Sequence, residues 1–187
     1  PQNINYRVAA DYVGPWPKSH FGNTQLFVMS DEYDRWVECY ATHSRACCGE
    51  FLDEWVKNVG RMIIIRTDNA REFKQPKAPL RLHAAKWLKD GEPIKVEHGP
   101  PYAPWANGIG ERANRTVLEV VRSSLMGCDP KCWDLAATAA AHVINRALVR
   151  KWRPPGSKQP RSNKTAFEIR HQRKAPTGYF RRWGCLC

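Results

Sequence analysis

Three carboxylates in this chain stand where a metal-dependent reaction could use them. Asp11 and Asp68 each end an apolar run of strand length, and Glu111 opens a helical pattern after a loop rich in Pro and Gly. Clustered carboxylate oxygens bind hard cations such as Mg²⁺, and two such ions can assist displacement at phosphorus. Taken singly, an Asp at a strand end is usually a turn former, and a Glu early in a helix usually complements the helix dipole. The surrounding elements must therefore decide whether these residues form one site.

The first part of the chain is predicted to form an antiparallel meander. Residues 6–12, 25–30 and 36–41 have the composition of strands, and the turn-forming residues 31–34 separate the second strand from the third.

A crossover helix is predicted to lead from this meander to a parallel strand. Residues 46–58 place apolar side chains at helical spacing, and residues 61–68 form a near-continuous aliphatic run, typical of a strand buried on both faces. A helix over 80–89 and a short strand over 95–97 are expected next. Chain direction would then bring the first two carboxylates to the same edge of the sheet.

Two long helices are predicted after a loop that we expect to be mobile. Apolar residues recur at helical spacing from Glu111 to about residue 127 and again over residues 133–149. We therefore predict an α/β fold in which a mixed five-stranded sheet, an antiparallel meander plus parallel strands, is flanked by helices.

Composition favours a soluble intracellular domain. The chain has 187 residues, of which 42% are hydrophobic, enough for one buried core. No run approaches the roughly 20 apolar residues of a membrane span, and no charged-then-apolar leader precedes residue 20, so we expect neither a membrane partner nor export. Because Pro1 is not a natural start, we expect a fragment of a longer protein.

The seven cysteines are interpreted as reduced thiols. They form an odd set without a regular framework, as is usual for cytosolic or nuclear proteins. Three residues separate Cys128 from Cys132 and one separates Cys185 from Cys187, neither of which is the Cys-x₂-Cys spacing of structural zinc sites. Zinc is therefore not expected.

The net charge of +12 is concentrated in the tail. Residues 150–187 hold 11 Lys or Arg and one acid, a net charge of +10, whereas residues 1–149 hold 19 basic and 17 acidic residues. We predict a nearly neutral domain over residues 1–150 and a basic, largely irregular extension over 151–187. Such an extension suits a polyanionic partner, although a solvated linker would have a similar composition. Five other acids are interpreted as surface charge: Asp31, Glu32, Asp34, Asp53 and Glu54.

Five motifs in order resemble the catalytic core of copia-type retrotransposon integrases, within the retroviral integrase superfamily. They are Asp11-Tyr-Val-Gly-Pro15, Thr67-Asp-Asn-Ala-Arg-Glu-Phe73, Pro101-Tyr-Ala-Pro104 with Asn107-Gly-Ile-Gly-Glu-Arg-Ala-Asn-Arg-Thr116, Asn145-Arg146, and the tail segment from Thr165-Ala-Phe-Glu168 to Trp183-Gly-Cys185. The resemblance covers essentially the whole chain. It implies an RNase H-like fold in which Asp11, Asp68 and Glu111 are catalytic and bind two Mg²⁺ or Mn²⁺ ions.

The resemblance also implies a reaction and its partners. An integrase of this kind inserts retrotransposon cDNA into host DNA by strand transfer, and whether the 3′ ends are trimmed first stays open. The expected partners are the long-terminal-repeat DNA ends, host target DNA and further copies of the same chain. The expected location is the nucleus, after assembly in cytoplasmic virus-like particles. As the first strand should be central, Asp11 is the expected bridge between the two ions.

Five residues near Glu111 are candidates for DNA binding: Tyr102, Trp105, Asn107, Arg112 and Arg115. Trp105 could stack on an exposed base or serve as a buried loop anchor. Arg115 lies one helical turn from Glu111 on the same face and could hold a DNA end or lie in solvent.

Three departures from the family pattern leave other functions open. Asn69 is followed by Ala-Arg, Pro104 is followed by Trp-Ala, and the 42 residues between Asp68 and Glu111 exceed the usual spacing. An RNase H-like nuclease or cut-and-paste transposase would use similar carboxylates on the same fold. An inactive descendant that only binds DNA or chromatin is the other alternative.

Overall fold

A computed structural model describes residues 3–99, 108–153, 156, 158, 160–178 and 180. It contains a five-stranded sheet in the order β3-β2-β1-β4-β5. The strands are β1 (Arg7–Val13), β2 (Gln25–Asp31), β3 (Val37–Thr42), β4 (Ile64–Thr67) and β5 (Lys95–His98). The pairs β1–β2 and β2–β3 are antiparallel, and the pairs β1–β4 and β4–β5 are parallel. The predicted mixed sheet is confirmed, and β1 is its central strand.

Helices cover both faces of the sheet. The first face carries α1 (Cys48–Asn58), α2 (Arg71–Lys74) and α3 (Pro79–Lys86), and the second carries α4 (Gly108–Ser124) and α5 (Trp133–Ala147). Within the described ranges, no helix is long and apolar enough to cross a membrane.

The alternation of side chains along β1 assigns its residues to the two faces. Val8 and Ala10 lie in the first core, whereas the carboxylate of Asp11 points to the opposite face and meets α4. The partner strand follows the same alternation, since Leu26 and Val28 of β2 lie in the second core. The apolar pattern therefore fixes which face Asp11 presents.

The four predicted helices differ from their predicted bounds by a few residues: α4, expected from Glu111 to about residue 127, covers Gly108–Ser124, and α5, expected to reach residue 149, ends at Ala147. The helix expected from residue 46 begins at Cys48, because the hydroxyl of Ser44 caps a preceding 3₁₀ turn by accepting a hydrogen bond from the backbone N–H of Ala46. The helix expected to reach residue 89 ends at Lys86, and a tight turn follows in which Asp90 has a left-handed φ of 54°.

The described part of the segment 151–187 has more regular structure than its composition predicts. It contains β6 (Arg150–Trp152) paired with β7 (Ser162–Lys164), followed by α6 (Ala166–His171). Thr165 and Glu168 form a reciprocal capping box that starts α6, and the side chains of Phe167 and Ile169 are buried. The predicted division at residue 150 stays a prediction, but α6 packs as part of the core.

Arg170 of α6 occupies a buried acidic site. Its side chain is 7% exposed, Nε donates to Asp34 Oδ2 at 2.6 Å, and Nη2 donates to Asp31 Oδ2 at 3.2 Å. Asp31 and Asp34 are fully buried, and Glu32 is 6% exposed. The interpretation of these three acids as surface charge is therefore wrong, since all three are buried. Arg170, which is distant in sequence, neutralises part of the turn over residues 31–34.

We predict that Arg170→Met lowers the free energy of unfolding by about 3–5 kcal/mol, because it leaves buried carboxylates without their counter-charge. Urea denaturation followed by circular dichroism measures the change. The matched control is Arg161→Met, which removes the same charge from an exposed position. Equal stability of the two variants would contradict the buried ion pair.

Candidate active site

Asp11 lies near the end of the central strand and is held by two hydrogen bonds. Oδ1 accepts from the backbone N–H of Tyr12 at 2.8 Å, and Oδ2 accepts from Nδ2 of Asn114 in α4 at 3.0 Å. The second bond connects the sheet to the helix that carries Glu111. The carboxylate is therefore oriented before any ligand binds.

Asp68 follows β4 directly and lies close to Asp11. Because β4 runs parallel to β1, the two strands end at the same edge of the sheet. Burial, reinforced by the negative charge of Asp68, raises the pKa of Asp11 to about 6. Bringing two carboxylates together in this way is unfavourable unless a cation compensates them, which is typical of functional sites.

A polar cluster fixes the end of β4 beside Asp68. Thr67 Oγ1 lies 2.9 Å from Nδ1 of His98, and Nη2 of Arg81 lies 2.8 Å from Nε2 of the same ring. An arginine can only donate, so Nε2 accepts. Burial and the charge of Arg81 lower the pKa of His98, which favours the neutral ring. The backbone N–H of Ala70 also donates to Asp68 Oδ1 at 3.0 Å, and the loop after β4 is thereby held in place.

Glu111 is the fourth residue of α4 and is exposed. It precedes Asn114 by three residues, so the two side chains share one face of the helix. Since Asn114 binds Asp11, that face is turned towards the two aspartates. No three acidic, histidine or cysteine side chains in the described part of the chain lie close enough to form a metal-binding group. The structure therefore pairs Asp11 with Asp68 and places Glu111 nearby without joining it to them.

The candidate DNA-binding residues divide into two groups. Arg112 and Arg115 lie on α4 and are exposed. Tyr102, Trp105 and Asn107 lie outside the described residues.

Two contacts at the site escaped sequence reasoning. Asn114 could have been found, because it lies one helical turn after Glu111 within a motif. Arg45 could not, since its guanidinium stacks over the ring of Tyr12 at 5.4 Å and pairs with Glu72, both distant in sequence. Arg45 therefore supplies a positive charge near Asp11 that no local sequence pattern predicts.

The relatives of this chain are long polyproteins. The Pol polyprotein of transposon TNT 1-94 from tobacco (Nicotiana tabacum) is 28% identical over 153 residues, 78% of this chain and 11% of that polyprotein. This chain thus spans only about a tenth of that relative's length. No protein-family model matches the sequence.

Solved structures agree with the topology. The magnesium complex of the HTLV-2 integrase catalytic core domain, in its dimeric form, superposes with a TM-score of 0.63 at 19% identity, covering 90% of this chain and 97% of that one. The fold is that of a retroviral integrase catalytic core. A chain in the intasome of simian T-cell lymphotropic virus, solved with the PP2A regulatory subunit B56 gamma, gives a TM-score of 0.70 at 17% identity, with 94% of this chain and 58% of that chain covered.

The predicted resemblance to the retroviral integrase superfamily is thus supported in both sequence and fold. The RNase H-like fold predicted for this chain is confirmed. Assignment to the copia type stays a prediction.

Within this integrase fold, we predict that Asn114→Ala loosens the start of α4. Removing a hydrogen bond to a carboxylate should lower the free energy of unfolding by about 1.5–3 kcal/mol. Urea denaturation measures the loss, and amide hydrogen exchange should speed up in the first turns of α4. Glu119→Ala, at an exposed position of the same helix, is the control. Unchanged exchange in Asn114→Ala would show that the bond does not hold the helix.

Proposed function

We propose that this chain is the catalytic core of a retrotransposon integrase that joins the ends of the element's DNA to host DNA by metal-dependent strand transfer. The observation that carries the proposal is the close approach of Asp11 and Asp68 at the end of β1 and β4. Asn114 of α4 binds Asp11, and Glu111 lies one helical turn before Asn114 on the same helix. An integrase fold around this arrangement supports strand transfer over other phosphoryl chemistry.

The three carboxylates suit a hard divalent cation. Asp11, Asp68 and Glu111 offer oxygen ligands only, the donor type that Mg²⁺ and Mn²⁺ prefer. A cation would also offset the repulsion that raises the pKa of Asp11. We propose that these residues hold two such ions, which when bound would activate the attacking oxygen and stabilise the leaving one. The HTLV-2 core, solved with magnesium, supports this choice.

The chain's own contacts position Asp11 for this task. Each carboxylate oxygen has two lone pairs, so Oδ2 can keep its bond from Asn114 while it binds a cation. The backbone bond from Tyr12 holds Oδ1 in the same way. Asp11 is on the central strand, close to Asp68 and bonded to the helix that carries Glu111, which fits the proposed role as the bridging ligand.

The substrates of the proposed reaction are polyanions. Arg112 and Arg115 are exposed beside Glu111 and suit contacts with phosphates of the element's DNA ends or of host DNA. We further propose assembly of several copies, as in the dimeric HTLV-2 core and the simian viral intasome, and action in the nucleus.

The first test concerns the carboxylates. We predict that Asp11→Asn and Glu111→Gln each reduce Mg²⁺-dependent joining of long-terminal-repeat oligonucleotides by at least about 1000-fold, a loss of roughly 4 kcal/mol of transition-state stabilisation. Far-ultraviolet circular dichroism should show unchanged folds.

Two control variants separate the loss of a site carboxylate from the loss of any negative charge. Asp90→Asn keeps a residue tolerant of the left-handed conformation at φ 54°, and Glu119→Gln removes an exposed carboxylate from α4. Both should retain joining. Substantial activity in Asp11→Asn would overturn the site assignment, and DNA binding without joining by the unmodified chain would favour a binding module. Cleavage without joining would favour a nuclease.

The second test concerns Arg115. We predict that Arg115→Ala weakens binding to all DNA sequences alike and makes the dependence of log K on log salt shallower by about 0.9, because one phosphate contact is lost. Fluorescence anisotropy over a series of salt concentrations measures both quantities. An unchanged slope would place Arg115 away from the phosphates.

A further inference from the structure

A small cavity lies between the start of α4 and the end of the second strand. Its volume is about 260 Å³, and it is lined by Ser30, Arg35, Arg112 and Arg150, with an apolar wall that includes Ile109 and Ile144. One water occupies about 30 Å³ in the liquid, so the space can hold several waters, or a small ion together with waters. It is smaller than the roughly 300–1,000 Å³ of pockets for drug-sized ligands. We name it the arginine cavity.

The acids nearest the cavity attract Arg35 but form their ion pairs with other arginines. Glu32 pairs with Arg7 and Arg66, while Asp31 and Asp34 pair with Arg170. Among the residues that the structure describes, neither Arg35 nor Arg112 has a carboxylate within ion-pair distance.

The third arginine of the cavity binds only carbonyl oxygens among the described groups. Nη1 of Arg150 donates to the carbonyl oxygens of Arg35 and Asp34 at 3.1 and 3.3 Å. Burial and the charge of Arg35 lower the pKa of Arg150 to about 10, so it stays charged at pH 7. Three guanidinium groups thus converge on one small space.

A buried hydroxyl completes the lining. Ser30 is 2% exposed, and its Oγ has no hydrogen-bond partner within the described residues. An unsatisfied buried hydroxyl is unfavourable and rare, which indicates that a ligand or water supplies the missing bond. A hydroxyl beside arginines can donate to an oxyanion.

The arginine cavity adjoins the candidate active site without being part of it. Ser30 pairs with Ala9, two residues before Asp11, and both side chains lie on the sheet face covered by α4. Ser30 and Asp11 are therefore diagonal neighbours, and residues placed in this way in an antiparallel pair are about 7–8 Å apart. Arg112 directly follows Glu111, and α4 contributes its positive N-terminal end to the cavity.

We propose that the arginine cavity binds a tetrahedral oxyanion, and that in the working protein this is a backbone phosphate of the DNA held beside Asp11 and Glu111. The identity of the DNA rests on the proposed function, whereas binding of the anion does not. The three guanidinium groups and the Ser30 donor suit the charge and the acceptor oxygens of a phosphate. The cavity would thus fix the position of the DNA at a point away from the reacting phosphate.

The first arm of the test uses inorganic phosphate without any metal. Isothermal titration calorimetry at constant ionic strength should show phosphate binding to the unmodified chain. Binding to Arg35→Gln should be at least about tenfold weaker. Binding to Ser30→Ala should be weaker by about fivefold, because one hydrogen bond is lost. Ser30→Ala should not lower the melting temperature without phosphate, since it removes an unsatisfied hydroxyl. Arg122→Gln, which removes the same charge from an exposed position of α4, should bind phosphate normally.

The second arm uses a blunt-ended DNA duplex, again without metal. Arg35→Gln should make the salt dependence of binding shallower by about 0.9, as expected for one lost phosphate contact, and Ser30→Ala should weaken binding without changing that slope. Phosphate binding with an unchanged DNA slope would overturn the assignment to DNA and leave a site for a free anion. Equal phosphate and DNA binding by Arg35→Gln, Ser30→Ala and the unmodified chain would overturn the cavity site altogether. Neither arm needs strand transfer, so failure of the proposed reaction would be seen separately.

Discussion

The parallel pairing of β1 with β4 determines where this chain can do chemistry. The register that sets Val8 against Ile65 places Asp11, in the last part of β1, close to Asp68, which follows β4. Their mutual repulsion, added to burial, raises the pKa of Asp11 to about 6. A fold selected only for stability would separate or neutralise such a pair. The sheet, the α4 contact from Asn114 and the proposed cation site all depend on these two strand ends meeting.

The acids of this protein fall into two classes that composition cannot distinguish. Asp31, Glu32 and Asp34 are buried more deeply than the candidate site, yet arginines from β1, β4 and α6 pair with them. Asp11 instead receives neutral donors, a backbone N–H and an amide. Buried carboxylates that already have guanidinium partners are structural, because a metal ion would have to displace those partners first. Neutral donors leave the charge of Asp11 available to a cation.

Much of the fold could be predicted because its signals are local. Alternating apolar residues indicate β1 to β3, and the aliphatic run before Asp68 indicates a parallel strand, so the sheet follows from short segments. The ion pair between Asp34 and Arg170 could not be predicted, since 136 residues separate its members and neither has a distinctive context. The packing of α6 was missed for a related reason: the many charges of the tail concealed a short capped segment with two buried apolar side chains. The site was predicted from motifs, and its contact through Asn114 was within reach of the same reasoning, whereas the contact of Arg45 with Tyr12 was not.

Part of the positive charge of the tail acts inside the folded domain. The sequence places most of the excess charge after residue 150, which suggests that attraction to a polyanion belongs to the tail. Arg170, however, neutralises acids inside the protein, and Arg150 lines the arginine cavity. Lys164 and Arg173 stack over the rings of Trp152 and Phe167 at 5.3 and 5.4 Å. Part of the tail's charge therefore stabilises the domain, whereas Arg35 after β2 and Arg112 of α4 have no carboxylate of the described residues within ion-pair distance. If the chain binds DNA as proposed, long-range attraction and positioning at the site would be separate tasks performed by different residues.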